Sequence, residues 1–286
     1  GYARLAVRLA GSGAAIGSLR CTRLPRRTLR RERLTHRLGR ALVVNSAAIR
    51  DELAAAGIAR ERVEIVENGV DGERFRPLTD ASRREARERF GMRGPAIVVP
   101  ARISTQKNQL AVVRAVARLR ARGRWPADAR VIFAGRVERH SRYARVVDAA
   151  IRFLRVGDVV RREPPVRDAE RLLGAADAML LPSRFEGLPN AVLESLACGT
   201  PAIVSPAANA DALVEDGETG WVLPGAGPRD VEEGLERFFA TTAADRAAMG
   251  ARARAATLAR FSIERMVAAT CAVYERASAL PIAVTP

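Results

Sequence analysis

The 286-residue sequence is almost without lysine: 47 of its 48 basic residues are arginine, and Lys107 stands alone. Where arginine is used everywhere else, a single lysine points to a position that needs a compact, flexible ammonium. Cysteine is scarce too. Cys21, Cys198 and Cys271 lie far apart with no C-x-x-C pair, which argues against a disulfide scaffold or a thiolate zinc site and suits a reducing compartment. Only His36 and His140 supply imidazole, and neither has a metal-ligand neighbour at helical spacing. A Ser-His-Asp hydrolase or a histidine-rich metal enzyme is therefore not expected. No apolar run approaches the roughly 20 residues of a membrane-spanning helix, and Arg4 and Arg8 interrupt any apolar core of a secretory leader. The first residue is glycine rather than methionine, so the chain is expected to be processed, trimmed or a fragment.

What is present reads as globular: 48% hydrophobic and 28% charged residues can build a core. The formal charge of +16 is concentrated, because residues 1–40 hold eleven arginines and one glutamate. That stretch is either a solvated arginine-rich helix or a patch that attracts phosphate-bearing surfaces such as anionic lipid. Nucleic acid is not the expected partner, since no aromatic residues interleave with the patch.

Short β-branched runs alternate with longer helical patterns, the mark of a parallel α/β architecture. The expected strands are 41–44, 63–66, 96–99, 130–133, 178–181, 202–204 and 221–223. Several are apolar throughout, as when helices cover both faces of a sheet. Helical patterns fill 46–56, 109–120, 167–173 and 243–258. A last amphipathic helix over 263–277 groups Met266, Val267, Thr270, Val273 and Tyr274 near one face. Turn residues near 72–82 suggest three parts: a remnant of a first domain over 1–77, a complete Rossmann-like domain over 78–260, and a C-terminal helix over 261–286 that crosses back. With only two convincing strands, the first part is expected to be incomplete, because so small a parallel sheet leaves apolar edges bare.

Two segments carry the chemistry. The stretch LPSRFEGLPNAVLESLACGTPAIVS, from Leu181 to Ser205, runs from an apolar strand through a loop with Glu186 and Gly187 into a helix starting near Pro189. Pro in the first turn and Gly199 with Pro201 at the end are start and stop signals. A strand leading through a glycine loop to a helix N-terminus makes an anion site, and Gly187 lets the backbone come close. Glu186 and Glu194 suit the acceptance of hydrogen bonds from hydroxyls, as sugars and ribose present them; a salt bridge or cap is the plain alternative for Glu194. The second segment, AIVVPARISTQK, ends a strand in a loop with Arg102 and Lys107. Two cations at a strand's carboxyl end can hold a diphosphate and offset the charge of its departure. An ordinary basic loop with surface ion pairs is the alternative.

Arg102 with Lys107, the E-x(7)-E pair Glu186/Glu194, Asn45-Ser46, NGVD at Asn68–Asp71 and DGETGWVLP at Asp216–Pro224 together resemble glycosyltransferase family 4 of the GT-B class, over roughly residues 40–275. The resemblance implies two Rossmann-like domains and retaining transfer from a nucleotide-diphospho-sugar, UDP- or GDP-linked, to a glycan or lipid-linked acceptor in cell-envelope polysaccharide or glycolipid synthesis. It further implies that Arg102 and Lys107 contact the diphosphate and stabilise the leaving group, and that Glu186 orients the sugar. Gly187, Leu188, Pro189 and Asn190 would line the donor site, and Glu194 would hold the ribose. No D-x-D metal motif is present, and neither a metal nor a cofactor is expected; the nucleotide sugar is a substrate. The implied location is cytoplasmic, with residues 1–40 making peripheral contact with anionic lipid at the inner face of the membrane. The sequence departs from the family in its first domain, where the usual opening strand, glycine-rich loop and histidine have no counterpart, and at Val159–Pro165, where the base-binding region reads differently. A truncated module that binds nucleotide sugar with little turnover is the alternative.

Overall fold

The computed structural model describes residues 2–9, 14–209 and 211–279. The chain divides into two compact units: residues up to Gly69 with Phe185–Leu188 and the chain from Phe261 on, and Val70–Arg184 with Pro189–Arg260. Residues 70–77, which the sequence reading placed with the first domain, group with the second unit.

The first unit opens with helix α1 (Tyr2–Leu9), strand β1 (Ile16–Leu19), helix α2 (Arg26–Thr35), strand β2 (Ala41–Val44), helix α3 (Ala47–Ala55) and strand β3 (Val63–Ile65). The three strands form a parallel sheet in the order β1-β2-β3. Ser46 caps α3, its hydroxyl accepting from the Ile49 amide at 3.4 Å, as an N-cap serine should. Leu42, Val44, Ile49, Leu53, Ile58 and Val63 form the core, flanked by Leu19, Leu24, Leu29 and Ile65. The sequence reading missed β1. Its IGSL has one β-branched residue plus glycine and serine, the composition of an edge strand rather than an interior one. The single acid of the arginine-rich stretch, Glu32, is buried and meets Arg4 at 2.6 Å. The charge of α2 is thereby left to solvent: Arg26, Arg27, Arg30, Arg31 and Arg33 are all exposed.

The second unit runs α4 (Asp80–Arg89), β4 (Ala96–Pro100), α5 (Gln109–Ala121), β5 (Arg130–Ala134), α6 (Arg142–Phe153), β6 (Val160–Glu163), α7 (Ala169–Ala175), β7 (Ala178–Leu181), α8 (Asn190–Ala197), β8 (Ala202–Val204), β9 (Gly220–Val222), α9 (Pro228–Ala240) and α10 (Ala243–Arg260). Its six strands are all parallel, in the order β6-β5-β4-β7-β8-β9. Interior strands are buried on both faces; Ile97, Val98, Val99, Met179, Leu180 and Leu181 are wholly inaccessible. That is why they read from sequence as continuous apolar runs. Strand β6 was not expected, because VRRE has the charges of a protected sheet edge. Within this unit Phe238 meets Trp221 edge-to-face at 5.7 Å and Phe239 at 5.1 Å.

Helix α11 (Ile263–Ala279) belongs to the first unit. Its buried face is narrower than expected: Val273 and Ala277 are covered, whereas Val267 and Tyr274 are 48% and 55% exposed. Met266 does share the inner side, its sulfur accepting from the Gly69 amide at 3.1 Å. Among the described residues no helix is long and apolar enough to cross a membrane, and no cluster of His, Cys, Asp or Glu has a metal-binding arrangement.

Candidate functional site

The second unit's sheet reverses its direction of growth between β4 and β7. From β4 the chain adds β5 and β6 on one side, then returns to place β7, β8 and β9 on the other. Loops leaving two such neighbouring strands part to opposite sides, and the crevice at their carboxyl ends is where open α/β sheets bind ligands. Both chemical segments of the sequence leave from this point. Arg102 and Lys107 follow β4, and Pro189, Asn190 and Glu194 come after β7, at the start of and within α8.

The loop after β4 is tightly built. Gln109, fully buried, donates from Nε2 to the Arg102 carbonyl at 3.0 Å and accepts from the Ser104 amide at 3.3 Å. The amides of Lys107 and Asn108 both return to the Ser104 carbonyl, at 3.1 and 3.0 Å. Asn108 has a left-handed backbone, φ 59° and ψ 37°, which asparagine tolerates better than most residues. Its Nδ2 donates to the carbonyls of Pro182 at 3.3 Å and Ala226 at 2.6 Å, so one buried amide ties together the loops after β4, β7 and β9. Sequence reasoning did not single out Asn108; its only signal is its place next to Lys107. Arg102 makes a 3.1 Å ion pair with Glu138, both side chains about half exposed. Such a pair adds little stability and is easily exchanged for a ligand.

Glu194 lies one helical turn beyond Asn190 on α8, half-buried. Among the described residues no donor hydrogen-bonds its carboxylate. Burial raises its pKa above the ordinary carboxylate range, while the nearby Arg74 charge pulls the other way and Glu170 adds to the rise. Arg74 itself is bound to Glu170, at 3.2 Å from Nε and 3.1 Å from Nη2. Neither a capping bond nor a salt bridge accounts for Glu194. A desolvated carboxylate without a donor is ready to accept from a ligand's hydroxyls.

Glu186, Gly187 and Leu188 group with the first unit. All three are buried. The sequence reading gave Gly187 to close approach of a ligand; the structure supplies another reason for a glycine. A Cβ there would come within 2.8 Å of the Arg20 carbonyl and of Asn45 Oδ1, and within 3.0 Å of Ile49 Cδ1. The small residue is required by packing inside the first unit. Thr22 and Asn68 also reach this loop, contacts that the sequence did not reveal.

The family described as Glycosyl transferases group 1 matches residues 94–241, and Glycosyltransferase Family 4 matches residues 16–74. The chain belongs to the group 1 glycosyl transferases. It is 32% identical over 249 residues to the D-inositol 3-phosphate glycosyltransferase of Streptomyces bingchenggensis, covering 82% of this chain and 52% of that protein. The enzyme of the same name from Mycobacterium marinum is 28% identical over 262 residues, covering 88% and 53%. This group 1 chain thus spans about half the length of the curated relatives it matches. Among solved structures, Anabaena Alr3699/HepE in complex with UDP and glucose superposes with a TM-score of 0.85 at 20% identity, covering 97% of this chain and 74% of that one. The C-terminal domain of a group 1 family protein (LpcC) from Francisella tularensis gives a TM-score of 0.60 at 16% identity and covers 68% of this chain and 100% of its own. At such identities the likeness shows the fold, mixed α/β with parallel sheets as in GT-B glycosyltransferases.

Proposed function

We propose that the second unit binds the nucleotide-diphosphate end of a nucleotide-sugar donor, and that the chain serves transfer of that sugar, with retention, to a glycan or lipid-linked acceptor in cell-envelope polysaccharide or glycolipid synthesis. The observation that carries this reading is the half-buried Glu194 carboxylate, without a hydrogen-bond donor among the described residues, on the helix that follows the switch-point strand β7. In this reading Glu194 accepts from the ribose hydroxyls, and Arg102 and Lys107, after β4, hold the diphosphate and stabilise it as it leaves. Pro189 and Asn190 place the start of α8, whose dipole favours an anion. Glu186 and the Gly187 and Leu188 amides are assigned to the sugar by family resemblance. No step needs a metal in this scheme; the two cations take the charge. UDP is the first nucleotide to try, because Alr3699/HepE was solved with it, with GDP second. D-inositol 3-phosphate, named in the curated relatives, is the first acceptor to offer beside lipid-linked glycans. The exposed arginines of α2 support peripheral contact with anionic lipid at the cytoplasmic face.

The test is release of UDP from UDP-glucose, or of GDP from GDP-mannose, with and without acceptor. Lys107→Ala and Arg102→Ala should each raise the barrier by about 2–4 kcal/mol if each stabilises the departing diphosphate. Wild-type rates in Lys107→Ala would remove the leaving-group assignment. Because the chain spans about half of its curated relatives, a binding module with little turnover is the second reading. Donor binding without nucleotide release would favour it.

A further inference from the structure

Three side chains of the first unit sit just past the carboxyl ends of its three strands and converge on one loop. Thr22 follows β1, Asn45 follows β2 and Asn68 follows β3. The Thr22 hydroxyl donates to the Glu186 carbonyl at 2.6 Å. Asn68 Nδ2 donates to the Leu188 carbonyl at 3.0 Å. Asn68 Oδ1 accepts from Asn45 Nδ2 at 3.3 Å and from Arg20 Nη1 at 3.2 Å. Only one orientation of the Asn68 amide satisfies this set, since a backbone carbonyl can only accept and a guanidinium can only donate. Asn45 and Asn68 are 2% and 7% exposed, so losing these bonds would strand buried polar groups.

The geometry brackets Gly187. The carbonyls on either side of it, at Glu186 and Leu188, are both held, and the space around its α-carbon is closed by Arg20, Asn45 and Ile49. Glycine has the most backbone freedom to lose, so a glycine loop meets a ligand in one conformation only if its flanks are fixed.

We propose that Thr22, Asn45 and Asn68 are positioning residues that lock the Glu186–Leu188 backbone in the conformation in which it meets the transferred sugar. The proposal rests on the reading above that this loop handles the sugar. It assigns to the NS and NGVD words of the sequence a task at the reacting end of the donor, carried out through backbone carbonyls rather than by touching substrate. Preorganised loops of this kind depend on a supporting shell whose own side chains are fixed by hydrogen bonds.

The experiment compares UDP with UDP-glucose, and GDP- and ADP-glucose with their nucleotides, on the whole chain. Asn68→Asp is isosteric and keeps an acceptor for Arg20 and Asn45, but turns an oxygen toward the Leu188 carbonyl. Thr22→Val removes the hydroxyl; Thr22→Ser keeps it. Nucleotide affinity should stay within about twofold of wild type in all three. In Asn68→Asp the added affinity for the sugar nucleotide over the bare nucleotide should vanish, and kcat for release of the nucleotide should fall about 100-fold, the effect of a misplaced reacting group. Thr22→Val should move the same way by a smaller factor, and Thr22→Ser should restore wild-type behaviour. If Asn68→Asp does not fold, the two Thr22 variants decide. Folded variants with wild-type kcat and an unchanged preference for the sugar nucleotide overturn the proposal. So does equal loss of nucleotide and sugar nucleotide, which marks a structural role alone. A wild-type chain that binds none of the three sugar nucleotides overturns the underlying reading, and this proposal with it.

Discussion

The two units use the carboxyl ends of their parallel strands in different ways. In the second unit, strand ends β4 and β7 lead to Arg102, which makes a half-exposed ion pair with Glu138, and to Glu194, a half-buried carboxylate that no donor among the described residues serves. In the first unit, the strand ends lead to Thr22, Asn45 and Asn68, and all three donate to protein, although Asn45 Oδ1 is buried without a partner among the described residues. The same topological position thus yields two kinds of residue. Where a carboxylate is desolvated without a donor, folding alone does not account for it, and a ligand is the natural complement. Where a polar group donates to the protein's own carbonyls, its role lies in holding chain. Sequence words from the two units look equally like binding motifs, and only the hydrogen-bond ledger separates them.

The largest expected effect probes how the second unit is held together. Phe238 is fully buried between Trp221 and Phe239. Phe238→Ala should destabilise by about 3–5 kcal/mol, by lost transfer energy and the cavity left behind, and denaturant unfolding checks it. Should the nucleotide site belong to the second unit as described, the midpoint at which nucleotide binding is lost should fall by the same amount.

A smaller effect sharpens the contrast between partnered and unpartnered groups. Because burial lifts the Glu194 pKa, the folded chain holds this proton more tightly than the unfolded chain does. Ionisation therefore costs stability as pH climbs past the ordinary carboxylate value and through the folded one. Glu194→Gln should melt above wild type near neutral pH, and that advantage should disappear on acidification below about pH 4, where both states carry the proton. A lower melting temperature for Glu194→Gln at neutral pH would mean that the carboxylate is structural after all.

The smallest effect separates the units without altering activity. Burial pushes the Cys198 thiol of the second unit up to about 12, whereas Cys271 in the first unit is exposed. A thiol reagent near pH 8 should label Cys271 at once and Cys198 only as the second unit opens, because the thiolate is the reactive form. Equal rates would place Cys198 in a locally open region.

How much of this was legible depended on whether a feature is local. Interior strands such as 96–99 and 178–181 announced themselves because burial on both faces demands unbroken apolar residues. Edge strands β1 and β6 did not, since IGSL and VRRE carry the glycine, serine and arginine that an edge accepts. Arg102, Lys107 and Glu194 could be singled out as candidates because the chemistry proposed for them is written in residue type and short spacing. The anchoring of the Glu186–Leu188 loop was not. Thr22 reaches across 164 positions and Asn68 across 120, and both bond to backbone carbonyls, which leave no trace in residue identity. The packing demand on Gly187 was hidden for the same reason, since the atoms that require a glycine there belong to Arg20, Asn45 and Ile49.

The central claim, that the second unit binds a nucleotide diphosphate through Glu194 and the loop after β4, is tested most directly by the thermal shift of the chain against UDP, GDP and ADP, with Glu194→Ala in parallel. A nucleotide that binds only the folded state raises the melting temperature in proportion to the logarithm of its concentration over Kd. The account predicts that one nucleotide stabilises the wild type and that Glu194→Ala needs about tenfold more of it for the same shift, an assignment of roughly 1.4 kcal/mol to the ribose contact. A folded wild type that none of the three stabilises, or a Glu194→Ala variant that responds as the wild type does, would contradict it.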